Sequence, residues 1–73
     1  MTVSEALHRG ARELVDSPTA GLDADVLLRH VLGISRAALY AHGERALTEE
    51  ERAAYWRLLG RRARHEPVAY IVG

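Results

Sequence analysis

The chain has 73 residues, room for a single domain, and its ten arginines (there is no lysine) balance ten Asp and Glu. Zero formal charge withholds the broad basic field that nucleic acid or an anionic membrane surface would need. The absence of cysteine excludes disulfides, thiolate zinc sites and thiol nucleophiles, and no apolar run approaches the ~18 residues of a membrane span.

Residues 2–15 read as a helix. Thr2 and Glu5 have capping-box spacing, in which the hydroxyl takes a free amide and the carboxylate reaches back. Val3, Leu7, Ala11, Leu14 and Val15 form one apolar stripe at helical period. Glu5, Arg9, Arg12, Glu13 and Asp16 rule out a signal peptide here. Gly10, inside the helix, costs ~1 kcal/mol relative to Ala; close approach of a neighbour and simple tolerance both account for it.

Asp16-Ser17-Pro18 breaks the first helix and starts a second over about 18–32, with Ser17 as cap and Pro18 at the first helical position. Ala24, Leu27, Leu28, Val31 and Leu32 form its expected buried face, with Asp23, Asp25 and Arg29 outward. Gly33 is placed to stop it in the left-handed conformation. Ser35 caps a short third helix, about 36–42, anchored by Leu39 and Tyr40 and ended by Gly43. Thr48-Glu49-Glu50-Glu51 is a second capping box, with three carboxylates where the helix dipole favours them. The fourth helix, about 49–64, draws apolar contacts from Tyr55, Trp56, Leu58, Leu59 and Ala63, and Glu66-Pro67 stops it. Residues 68–73 suit a strand by composition and a short fifth helix by the position of Pro67. The sequence stops within this apolar segment, so a parent protein that continues is expected.

Three blocks carry a family resemblance: Asp23-Ala24-Asp25-Val26-Leu27-Leu28-Arg29-His30-Val31-Leu32-Gly33, Leu47-Thr48-Glu49-Glu50-Glu51, and Arg61-Arg62-Ala63-Arg64-His65-Glu66-Pro67-Val68-Ala69-Tyr70-Ile71-Val72-Gly73. In this order and spacing the chain resembles the N-terminal domain of the peptide-chain release-factor glutamine methyltransferases (the HemK/PrmC family). The third block is the most specific; Val68, Ala69 and Val72 replace its commoner Leu, Gln and Leu. The resemblance implies a small helical domain joined to a separate Rossmann-like domain that uses S-adenosylmethionine. That domain methylates the glutamine amide of the release factor's Gly-Gly-Gln loop, while the N-terminal domain helps to hold the protein substrate. The Asn-Pro-Pro-Tyr motif of the catalytic domain has no counterpart here, since the chain contains no Asn. No catalytic or cofactor-binding residue is therefore carried over, and a cytoplasmic location is expected.

Leu32-Gly33-Ile34-Ser35-Arg36-Ala37-Ala38-Leu39-Tyr40 has the look of a helix-turn-helix DNA reader. Arg29 stands where that motif wants a small residue, His42 where it wants an apolar one, and Ala37, Ala38 and Ala41 offer no base-reading donors. Arg57, Arg61 and Arg64 recur at i, i+4 and i+7, with Arg62 and His65 beside them. They complement a helix C-terminus or form a contact patch for the release factor or for RNA near it; Arg57, Arg61, Arg64 and His65 are the candidate partner-binding residues. His8, His30, His42 and His65 lack metal-ligand spacing, and His30 is expected to be partly buried beside Val31.

The expected fold is all-α: four helices plus a short fifth in one domain spanning residues 1–73. The expected core is Leu7, Leu14, Leu27, Leu28, Val31, Leu39, Trp56, Leu59 and Tyr70. The expected function is non-catalytic recognition of a release factor. S-adenosylmethionine and the catalytic machinery are assigned to the parent's methyltransferase domain, itself a packing partner. Neither a membrane nor nucleic acid is expected as a partner.

Overall fold

Five helices, α1 (Val3–Glu13), α2 (Ala20–Leu32), α3 (Arg36–Ala41), α4 (Glu49–Ala63) and α5 (Val68–Ile71), make up the computed structural model, which describes residues 1–73. They form an all-α bundle without strands.

The α1 capping box is present: Thr2 Oγ1 accepts from the Glu5 amide at 3.1 Å, and Glu5 Oε1 accepts from the Thr2 amide at 3.0 Å. Two further amides at this end find partners in the α3–α4 loop. Val3 N donates to Arg45 O at 2.9 Å and Ser4 N to Gly43 O at 3.0 Å. Leu47 N returns a bond to Met1 O at 2.8 Å, alongside an isolated antiparallel bridge between Thr2 and Ala46. Backbone bonds left open by a helix end thus pin the longest loop to the start of the chain.

Val3, Ala6, Gly10 and Leu14 face inward from α1, whereas Leu7 and Ala11 are half-buried. Val15 is 78% exposed: Leu14 caps α1, and beyond it the helical stripe no longer applies. The second helix begins at Ala20, behind Thr19, so Pro18 stands outside it. Ser17 still serves the start of α2, but as a bridge: its Oγ accepts from Thr19 N at 3.2 Å and donates to Asp23 Oδ2 at 2.7 Å. Gly33 adopts φ 66° and its amide returns to Arg29 O at 2.8 Å, which ends α2 as expected.

The main correction concerns α2. Asp23 and Asp25 are buried, at 7% and 2% exposure, and not outward. Because α2 packs against α1, α3 and α4, its covered arc is wider than one apolar stripe, and the two carboxylates on its edges are enclosed with their partners. Val31 is half-buried at the margin of the core cluster, and His30, the next position round the helix, is exposed.

Ser35 caps α3 through Ala38 N at 3.1 Å, and Leu39 is fully buried. Tyr40 anchors through its hydroxyl alone; its ring lies on the surface at 61% exposure. In α4 the Thr48–Glu51 capping box forms at 3.0 and 2.9 Å. Tyr55 and Leu59 enter the core, while Trp56 and Leu58 are half-buried and Ala63 is exposed. Trp56 thus yields its expected core place to the preceding residue. The terminal segment is helical, with Pro67 as the N-cap. A helix of four residues has one inward position, and it falls to Ile71; Tyr70 is 75% exposed, against expectation.

Val3, Ala6, Leu14, Leu27, Leu28, Leu39, Tyr55, Leu59 and Ile71 form one cluster drawn from all five helices and the α1 cap. No buried side-chain nitrogen or oxygen lacks a hydrogen-bond partner.

Candidate functional site

The residues of the matched blocks do structural work. Asp23 accepts from Ser17 Oγ at 2.7 Å, Thr19 Oγ1 at 3.0 Å and Arg62 Nε at 3.0 Å. Burial pushes its carboxyl pKa up, but these donors and the Arg62 charge outweigh burial and hold it below the ordinary value. Arg62, only 20% exposed, also reaches the Glu66 carbonyl at 3.4 Å. This cluster ties the start of α2 to the end of α4 across 39 residues. On the opposite side of α2, Asp25 accepts from Arg29 Nε at 2.5 Å and from the Tyr40 hydroxyl at 2.9 Å, with Arg36 Nε at 3.4 Å. That cluster ties α2 to α3. The hydrogen bond to Asp25 raises the Tyr40 pKa.

The third block closes in the same manner. Arg61 forms a two-pronged ion pair with Glu66, whose carboxyl is held below its ordinary pKa chiefly by that bond. His65, between them in sequence, takes φ 70°, a left-handed conformation costly for a side chain with a Cβ. The turn brings Glu66 back to Arg61 and releases Pro67 into α5.

The four candidate residues are therefore not equivalent. Arg57, Arg64 and His65 are exposed, and neither arginine has a carboxylate within ion-pair distance; Arg61 is half-buried and engaged with Glu66. Arg62, which the spacing placed in their company, turns inward to Asp23.

Sequence reasoning passed over a second pair. Arg9 and Arg12, exposed on α1, line an open cleft of about 440 Å³ with Glu13 and Trp56. Arg9 stands four residues from both Glu5 and Glu13, spacing that looks self-neutralised. In the fold Glu5 is committed to the capping box and no ion pair forms with either. Two other open clefts are of similar size and more apolar. One between α1 and α3, about 340 Å³, is lined by Leu7, His8, Leu39 and Tyr40 among others. No three His, Asp or Glu side chains converge as a metal cluster would, and no helix is long and apolar enough to cross a membrane.

One cleft brings Ser17 together with Asp16 and His65 and another brings Ser4 together with His8, but no serine is hydrogen-bonded to a histidine, and Ser17 Oγ donates to Asp23 at 2.7 Å. Surface helices held by internal polar locks are what this geometry offers. The family profile of the PrmC N-terminal domain matches residues 5–73. The chain belongs to the PrmC N-terminal domain family. The release factor glutamine methyltransferase of Salmonella typhimurium is 39% identical over 67 residues, covering 92% of this chain and 24% of the relative. That of Koribacter versatilis is 37% identical over 75 aligned residues, covering 100% and 27%. That of Burkholderia pseudomallei is 44% identical over 57 residues, covering 78% and 20%. This PrmC N-terminal domain spans about a quarter of the length of the curated relatives it matches. No solved structure matches it.

Proposed function

We propose that this PrmC N-terminal domain is the non-catalytic docking part of a cytoplasmic release factor glutamine methyltransferase. It grips the release factor at a distance from the chemistry, so that the Gly-Gly-Gln glutamine meets the methyl donor in a separate catalytic domain. The observation that carries this reading is the family match over residues 5–73 to methyltransferases about four times longer than this chain.

The physical argument is orientation. A protein substrate held through extra contact area loses its freedom before the reaction begins, and well-oriented partners can gain ~7–11 kcal/mol of the barrier in this way. Side chains that could do chemistry are otherwise employed: Asp23, Asp25 and Glu66 are all committed to arginines. S-adenosylmethionine belongs, on this proposal, to the catalytic domain.

A helix-turn-helix role gains no support. The would-be recognition helix α3 has six residues, and Arg29 and Arg36 are both drawn to Asp25.

Two measurements test the proposal. Isothermal titration of the chain with a purified release factor should give saturable binding. The same mixture with S-adenosylmethionine should leave the glutamine unmethylated. Methylation by this chain alone would refute the non-catalytic role, and absence of binding would refute docking.

A further inference from the structure

The arginines divide unevenly. Six of the ten, Arg29, Arg36, Arg45, Arg52, Arg61 and Arg62, lie within ion-pair distance of a carboxylate. The other four, Arg9, Arg12, Arg57 and Arg64, are exposed and have none. Two of those four flank the single tryptophan of the chain, since Arg9, Arg12 and Trp56 line the same cleft between α1 and α4.

Trp56 is held for presentation. Its ring meets Tyr55 edge-on, with centroids 5.3 Å apart and planes at 81°. Tyr55 is itself fixed by burial and by its hydroxyl donating to Ala6 O at 2.9 Å. The indole is half-buried, and its N–H is neither buried nor bonded within the chain. The cleft thus gathers two unpaired arginines and an indole among its lining residues. Its one carboxylate, Glu13, is exposed and makes no ion pair. Trp and Arg are the side chains that most often anchor protein interfaces.

We propose that the Arg9–Arg12–Trp56 cleft is the docking site of this domain, and that its occupant is an acidic protein surface with an apolar residue for the indole. This rests on the docking reading above and assigns it a place. Charge complementarity favours carboxylates: each unpaired guanidinium can donate two parallel hydrogen bonds to one carboxylate. A nucleic-acid backbone is disfavoured because the chain has no net positive charge and the cleft holds one aromatic, not a stacking series.

The lone tryptophan makes the test direct. Release factor is titrated into the 73-residue chain while Trp56 emission is read at low and high salt. Emission should shift on binding, and affinity should fall with salt. Arg9→Glu with Arg12→Glu should weaken binding about tenfold or more. Arg57→Glu with Arg64→Glu, at the α4 positions that the sequence nominated for the partner, should weaken it less than the α1 pair does, and the reverse order overturns this site. Both variants alter exposed side chains without ion-pair partners, and circular dichroism confirms that each is folded. Binding by calorimetry with Trp56 emission unmoved and the Arg9/Arg12 variant unimpaired overturns this site and leaves docking intact. Absence of calorimetric binding overturns both. Displacement of the release factor by duplex RNA overturns the choice of an acidic protein partner.

Discussion

Tyr55 is seated on Gly10. The phenol ring of α4 occupies the space that a Cβ on this α1 glycine would fill, and its hydroxyl donates to Ala6 O one helical turn away. The helix thereby accepts a glycine in its interior so that a large aromatic can cross at close range.

The first prediction follows from that contact. Gly10→Ala should destabilise the domain by about 2 kcal/mol, because overpacking outweighs the ~1 kcal/mol that alanine contributes to helix propensity. Tyr55→Phe removes the atom that would clash most severely. The double variant should therefore be more stable than the sum of the single effects implies, a coupling that urea denaturation of all four proteins measures.

The Asp23–Arg62 lock gives the second. Arg62→Gln should leave a buried carboxylate without its cation and cost about 2–4 kcal/mol. Arg64→Gln, one helical face away and exposed, should stay within about 0.5 kcal/mol. Thermal melts of both separate a structural arginine from a surface one; equal melting temperatures would refute the lock.

Leu28 is fully buried in the central cluster. Leu28→Ala should cost about 2–5 kcal/mol, enough to unfold much of so small a domain. A far-UV melt indistinguishable from the parent chain would contradict this core.

Acid should weaken the fold, with a definite sign. Asp23, Glu51 and Glu66 are each held below their ordinary pKa by hydrogen bonds and arginines that exist only in the folded chain. The unfolded chain therefore binds more protons near their ordinary values of 3.8 for Asp and 4.5 for Glu. Their stabilisation is fully present above those values and is lost as pH falls through the lower folded ones. Melting temperature should accordingly hold near neutrality and drop below about pH 4.5, and Asp23→Asn should flatten that drop. Unchanged acid dependence in Asp23→Asn would show that the carboxylate is not responsible.

Local chemistry was legible in the sequence. The capping boxes at Thr2 and Thr48 and the left-handed stop at Gly33 each involve residues no more than four apart, so spacing alone determines them. The family blocks were legible too, though not their purpose. That Asp23 and Asp25 are enclosed depends on α1, α3 and α4 covering both edges of α2, which no periodicity within α2 reveals. The exchange of Trp56 for Tyr55 and of Tyr70 for Ile71 in the core has the same origin. Adjacent positions on a helix differ by about 100°, and only the direction from which neighbouring helices approach selects between them. Whether an arginine is free was likewise a tertiary matter. Spacing put Arg61 and Arg62 in one patch with Arg57 and Arg64; the fold gave Arg61 to Glu66 and Arg62 to Asp23, and left Arg9 and Arg12 without a carboxylate partner beside Trp56.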